Sequence, residues 1–117
     1  MMNNQKLEIL KTIDEYLEKL IYDIKDTIEF FQNGNEGKGN EMVVEVIQAL
    51  NDIIEGINIT SDIQKEKIEI SKINEYLMEM VYALENRDYV LIADLLEYEI
   101  IPVLENWKDK VLVTIGA

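Results

Sequence analysis

The chain has 117 residues, which is enough for one domain with one apolar core and too few for two. Its 24 acidic and 11 basic residues give a formal net charge of −13, which repels nucleic acids and anionic lipid surfaces. The chain has neither cysteine nor histidine, which excludes disulfide bonds, thiolate catalysis and histidine-ligated metal sites.

The compartment is predicted from what the sequence lacks. No early segment joins a basic start, an apolar stretch and a small-residue cleavage site, and the apolar runs are only a few residues long. A chain without cysteine also suits a reducing compartment. We therefore predict a cytoplasmic protein that binds neither membrane nor nucleic acid and folds as a single domain over residues 1–117.

The first helix is predicted over residues 4–32, because apolar residues recur there at helical spacing on one face. The opposite face is mostly acidic residues and lysine. The apolar arc consists of Leu7, Leu10, Ile13, Leu17, Leu20, Ile21, Ile24, Ile28 and Phe31. Such an arc predicts an amphipathic helix with a seam like that of a coiled coil.

Residues 33–40 contain three of the five glycines and no apolar side chain, which predicts a flexible, exposed loop. A calcium-binding loop counted from Asn33 would need glycine in place of Lys38 and glutamate in place of Val44. A phosphate-binding loop would need lysine in place of Asn40. We interpret the segment as a linker rather than a ligand site.

Two further helices are predicted after this loop. One covers residues 41–58, with Asn40 as its N-cap and Gly56 weakening its last turn. The other covers residues 62–86 and follows three consecutive capping residues at 60–62. The alternative is one long helix that bends at Gly56, and the capping residues favour the break.

The fourth helix is predicted over residues 88–113, with Asp88 as its N-cap. Pro102 lies inside it, and the proline ring would clash with the carbonyl of Tyr98, which predicts a kink near residues 98–102. Short connections make neighbouring helices antiparallel. The predicted fold class is therefore all-α, an up-down-up-down four-helix bundle.

No constellation in the sequence predicts catalysis or metal binding. Di-iron bundles need a Glu-x-x-His motif, which this chain cannot supply, and Ser61 and Ser71 have no histidine base. Most carboxylates lie outside the apolar arcs, as on a solvated surface. We therefore predict no enzyme, no catalytic residue, no metal and no cofactor, with a carboxylate-based metal site or enzyme as the alternative.

Glu99 is predicted to be buried, because a regular helical wheel places it inside the apolar arc of the fourth helix. A buried carboxylate needs a partner, and the candidates are Arg87, a lysine, or a tyrosine hydroxyl from a facing helix. We interpret Glu99 and Arg87 as buried polar residues that fix helix register. A binding or catalytic role for Glu99 is the alternative.

The opposite face of the fourth helix carries a second apolar patch. Such a patch is either covered by another part of the chain or forms the surface for a second copy or another protein. The residues predicted to bind a partner are Leu91, Asp94, Tyr98 and Ile101.

One segment resembles a known family. It reads Ala83-Leu-Glu-Asn-Arg-Asp-Tyr-Val-Leu-Ile-Ala-Asp-Leu-Leu-Glu-Tyr-Glu-Ile-Ile-Pro102 and is similar to part of small, acidic, helical proteins of unknown function from low-GC Gram-positive bacteria. In size, acidity and helix-hairpin pattern, the chain is more loosely similar to flagellar export chaperones, which hold an export substrate against an apolar helix. The first resemblance implies no activity for any residue.

These observations together predict a non-enzymatic protein–protein interaction module that is adaptor-like or chaperone-like and associated with motility or export. It would recognise a partner protein, or a second copy in a homodimer, through the apolar face of its fourth helix. Apolar anchors would supply affinity, and the surrounding acidic residues would select basic or polar partners.

Overall fold

The computed structural model describes residues 2–116, which contain helices and no strand. The first three helices are α1 at Asn3–Gln32, α2 at Glu36–Ile59 and α3 at Ser71–Glu85. Helix α4 is continuous and consists of an α-helical segment at Tyr89–Asp94, a π-helical segment at Leu95–Ile100 and an α-helical segment at Ile101–Ile115. None of the helices within residues 2–116 has both the length and the apolar character needed to cross a membrane.

The helices form the predicted up-down-up-down four-helix bundle, which measures 45 × 22 × 21 Å. Its long dimension equals the length of α1, because 30 helical residues span about 45 Å. Helix α1 packs against both α2 and α4, and α3 packs mainly against α4. Phe31 at the end of α1 stacks on Tyr89 at the start of α4, with ring centroids 5.6 Å apart, as antiparallel neighbours require.

The apolar arcs predicted from helical spacing supply the core. Each helix buries residues three or four positions apart, as an amphipathic helix in a bundle does. The largest fully buried side chains are Trp107, Leu10, Leu17, Ile24, Leu50, Ile53, Ile57, Ile73, Met80, Ile92, Leu96 and Ile100. Burying such side chains contributes about 1.5–3 kcal/mol each relative to leaving them exposed.

The predicted start of the second helix was wrong. Helix α2 begins at Glu36, so the connection after α1 is much shorter than the predicted loop at 33–40. Asn35, rather than Asn40, is the N-cap, and it accepts a hydrogen bond from the Lys38 backbone amide at 3.4 Å. Gly39 is buried inside the helix, where a Cβ atom would come within 2.6 Å of the Phe31 ring. This glycine permits close helix packing, where the sequence suggested a loop.

The break between the second and third helices is confirmed, but helix α3 begins nine residues later than predicted. A short 3₁₀ turn at Ser61–Ile63 is followed by residues 64–70, which are not helical and which we call the strap. Only Ile68 of the strap is fully buried. The predicted helix over residues 62–70 is therefore wrong.

Side chains of α4 hold the strap in its non-helical conformation. The backbone amide of Lys65 donates to Thr114 Oγ1 at 3.0 Å, and Trp107 Nε1 donates to the Glu69 carbonyl at 3.1 Å. These tertiary hydrogen bonds satisfy backbone groups that a helix would pair internally. The spacing of apolar residues along the sequence cannot predict these hydrogen bonds, because the two residues that each bond joins lie 49 or 38 positions apart in the chain.

The irregularity predicted near residues 98–102 takes the form of the π-helical segment at Leu95–Ile100, immediately before Pro102. A π-helical turn holds about one residue more than an α-helical turn, so the face that points to the core changes across it. Ile100, the last residue of the segment, and Ile101, the first residue after it, are 0 % and 8 % exposed. Glu99, which a regular wheel places in the core, is exposed.

Candidate functional site

A groove runs along the surface between α3 and α4, beside the π-helical segment. It consists of two adjoining cavities of about 490 and 500 Å³, and Tyr76, Tyr98 and Glu99 line both of them. The first cavity is lined by these three residues together with Glu79, Leu91, Asp94 and Leu95. The second is lined by the same three together with Glu69, Ser71, Lys72, Pro102, Val103, Asn106 and Trp107. We call the two cavities together the α3–α4 groove.

Three of the four residues predicted to bind a partner line this groove. Asp94 and Tyr98 are exposed, with 66 % of Tyr98 accessible to solvent, and Leu91 is half-buried. The fourth, Ile101, is only 8 % exposed and belongs to the core. Its predicted place on the outer surface is wrong, because the π-helical segment rotates it inward.

The same rotation brings Glu99 outward, so the prediction of a buried Glu99 is also wrong. Glu99 lines both cavities together with Tyr76 of α3, and a tyrosine from a facing helix was one of the partners considered from the sequence. The neighbouring carboxylate of Glu99 raises the pKa of Tyr76 above its usual value of 10.0.

Arg87 does not take part in this arrangement. It lies in the turn between α3 and α4, where it is exposed and adopts the left-handed conformation with φ of 53°. Its backbone amide donates to the Leu84 carbonyl at 3.2 Å and so helps to close the turn. The prediction that Arg87 is a buried register residue is therefore wrong, since tight connections place such residues at the surface.

The first cavity of the groove carries an uncompensated negative charge. Glu79, Asp94 and Glu99 line it. The ion pairs found within residues 2–116 use other acidic residues: Glu8, Asp14, Glu18, Asp23, Glu41 and Asp62. These three carboxylates therefore have no cationic side chain within 4.0 Å in the described part of the chain. A positively charged ligand would gain attraction here without displacing an internal partner.

Sequence reasoning missed the α3 side of the groove. Tyr76 and Glu79 lie on α3 and were not singled out, because the spacing within one helix does not show which neighbour it will face. Tyr76 follows the buried Ile73 by three residues, and this spacing was the available signal that Tyr76 lies near the face of α3 that packs on its neighbours. Reasoning also missed an exposed stripe on α3 formed by Met78, Val81 and Tyr82, which are 75 %, 45 % and 65 % exposed.

Three other cavities are smaller than either part of the groove. One of about 420 Å³ lies at the turn between α3 and α4, and two of about 250 and 270 Å³ lie along the outer side of α1 and α2 around Tyr16. The acidic residue Asp23 in one of them already pairs with Lys19 at 3.0 Å. No group of three or more acidic residues within residues 2–116 is arranged to hold a metal ion. The α3–α4 groove is therefore the best candidate site.

A family described as a domain of unknown function (DUF8042) matches residues 8–110, which include all of α2 and α3 and most of α1 and α4. No curated protein and no solved structure matches the chain.

Proposed function

Since the chain belongs to the DUF8042 family, whose description names no activity, we propose from its surface that it is a non-enzymatic protein-binding module. Its α3–α4 groove would hold a helical segment of a partner protein that combines apolar anchors with basic residues. In its specific form, this is the role of an adaptor or a chaperone associated with motility or export.

The observation that carries the proposal is the combination of shape and chemistry in one groove. Two cavities of about 490 and 500 Å³ adjoin along two antiparallel helices, which is the form of a site for a third helix. Tyr98 offers a large aromatic surface that is 66 % exposed. Tyrosine is among the residues that most often dominate the energy of protein interfaces.

The negative charge of the chain and of the groove determines which kind of partner the groove would bind. A net charge of −13 makes a second copy of this chain an unfavourable partner and a basic segment a favourable one. The carboxylates of Glu79, Asp94 and Glu99 lie in the groove itself, so they would meet the basic residues of the bound segment directly. Complementary charges of this kind raise the association rate and reject acidic partners.

The test uses a fluorescent amphipathic peptide of known composition, with leucines on one helical face and arginines beside them. Its affinity is measured by anisotropy for the native protein and for an Asp94→Lys, Tyr98→Ala double variant. Losing a central aromatic anchor and reversing a groove charge should weaken binding by about tenfold or more. Both residues are exposed, so the variant should remain folded.

A matched control separates the groove from general attraction between a basic peptide and an acidic protein. The Glu15→Lys, Tyr22→Ala variant likewise replaces an acidic residue by lysine and a tyrosine by alanine, at exposed positions of α1 away from the groove. It should bind the peptide almost as tightly as the native protein does. Equal losses in the two variants, or no binding by the native protein, would disprove the proposal.

A further inference from the structure

We propose that the middle of the α3–α4 groove is a subsite for one arginine side chain of the partner, in which the guanidinium stacks on Tyr98 and donates to Glu99. The inference rests on the proposed function and names the residue of the partner that the groove binds. The subsite lies at the junction of the two cavities, which Tyr76, Tyr98 and Glu99 line in common.

The carboxylate of Glu99 is exposed and can accept hydrogen bonds from such a ligand. Glu99 lines both cavities together with Tyr76, which is half-buried on α3 and whose pKa Glu99 raises. An ionised carboxylate has about four sites for accepting hydrogen bonds, so a neighbouring tyrosine hydroxyl leaves most of them free.

Aromatic rings and additional carboxylates surround the same point. Tyr98 neighbours Glu99 in sequence and lines both cavities, and Asp94 lies one helical turn before Tyr98. A cation over the face of a tyrosine ring gains about 0.5–1 kcal/mol at an exposed site. The subsite therefore combines an aromatic face with an exposed carboxylate, and Asp94 and Glu79 raise the local negative potential further.

Arginine fits this arrangement better than lysine. The floor of the first cavity includes Leu95, which is 4 % exposed, and the half-buried Leu91, so a bound cation leaves part of its water behind. Guanidinium is more weakly hydrated than ammonium, stacks flat on aromatic rings and can donate two parallel hydrogen bonds to one carboxylate. Ammonium is a compact, strongly hydrated charge, so it loses more hydration free energy than guanidinium does when it enters the cavity.

No cationic side chain within residues 2–116 forms an ion pair with the carboxylates of this subsite. Lys72 lines the second cavity, but it forms no ion pair within 4.0 Å among the described residues. Arg87 lies in the α3–α4 turn and lines a cavity that shares Asp94 with the groove, but it forms no ion pair there either. Glu99 therefore keeps its charge available for a cation from outside.

The test titrates the protein with N-acetyl-arginine methylamide and follows the NMR resonances of Tyr76, Tyr98 and Glu99. These resonances should shift in a saturable way, whereas the uncharged citrulline analogue should leave them almost unchanged. The lysine analogue should bind more weakly than the arginine compound. In the Glu99→Gln variant the apparent affinity for the arginine compound should fall by about fivefold or more.

Glu97→Gln is the matched control, since Glu97 is an exposed acid of the same π-helical segment that does not line the groove. It should leave the affinity unchanged. Equal response to the arginine and citrulline compounds, or equal affinity in the Glu99→Gln and Glu97→Gln variants, would overturn the arginine subsite. If the Leu/Arg peptide still binds the groove in that case, the proposed protein-binding function stands; if it does not, both fail.

Discussion

Single residues decide how closely the helices of this bundle approach one another. Gly39 faces the ring of Phe31, and a Cβ atom there would lie 2.6 Å from the ring carbon Cε1. Phe31 cannot easily move aside, because its other neighbour is the stacked ring of Tyr89. Gly37, two residues earlier in the same helix, faces open space. Gly39 is therefore needed for the close packing of α2 on Phe31, whereas Gly37 is not.

Gly39→Ala should lower the free energy of unfolding by about 1–3 kcal/mol, because overpacking displaces a ring that is held on both sides. Gly37→Ala should leave it unchanged or raise it by up to about 1 kcal/mol, since alanine is the better helix former. Urea denaturation followed by circular dichroism measures both. Similar values for the two variants would contradict the packing assigned to Gly39.

Tyr76 reports on its contact with Glu99 through its own titration. The carboxylate raises the pKa of Tyr76 above 10.0 in the folded protein, so the folded state retains the phenolic proton longer than the unfolded chain does. The stability from this contact is fully present below pH 10 and is lost as the pH rises through the raised pKa. Tyr76 should titrate closer to 10.0 in the Glu99→Gln variant.

Phenolate absorbance in the ultraviolet measures this titration. Subtracting the titration of the Tyr76→Phe variant removes the signal of the other five tyrosines. An unchanged pKa of Tyr76 after Glu99→Gln would show that another group causes the shift.

At the scale of elements, the sequence predicts a helix well where its apolar residues keep one constant period. The predicted range 4–32 agrees with α1 at Asn3–Gln32 to within one residue. The same method placed Glu99 in the core and Ile101 at the surface, which is the reverse of the structure. It assumes a constant rotation per residue, and the π-helical segment interrupts that rotation. Pro102 marked the place of the irregularity, but no local signal specified an extra residue in the turn.

The π-helical segment behaves as a one-residue insertion, so deleting Tyr98 should restore an α-helix with its core face intact. Ile100, Leu104 and Trp107 would then follow Leu96 at regular helical spacing. Deleting Asn106, which is also exposed, should rotate Trp107 and every later core residue out of register.

Both deletions are made in a Pro102→Ala background, which removes the clash that proline causes inside a regular helix. Thermal unfolding should remain cooperative after deletion of Tyr98. Deletion of Asn106 should cost more than about 4 kcal/mol, because it removes large buried side chains from the core. If both deletions are equally harmful, the π-helical segment is not a simple insertion.

For the whole molecule, the sequence predicts the bundle but only half of the groove. Leu91, Asp94 and Tyr98 come from one predicted helix face, and all three line the groove. Tyr76 and Glu79 come from another helix, and the strap that sets where α3 begins is held by tertiary hydrogen bonds. Contacts between distant parts of the chain do not follow from spacing, and they decide which helices face each other.

The most direct test of the central claim is an NMR map of the native protein with the Leu/Arg peptide bound. We predict that backbone amide shifts concentrate in α3 from residue 71 to 79 and in α4 from residue 91 to 107, which are the two sides of the α3–α4 groove. Shifts confined to the outer side of α1 and α2 around Tyr16, or to the end of α3 beyond residue 79, where Val81 and Tyr82 are exposed, would contradict the account.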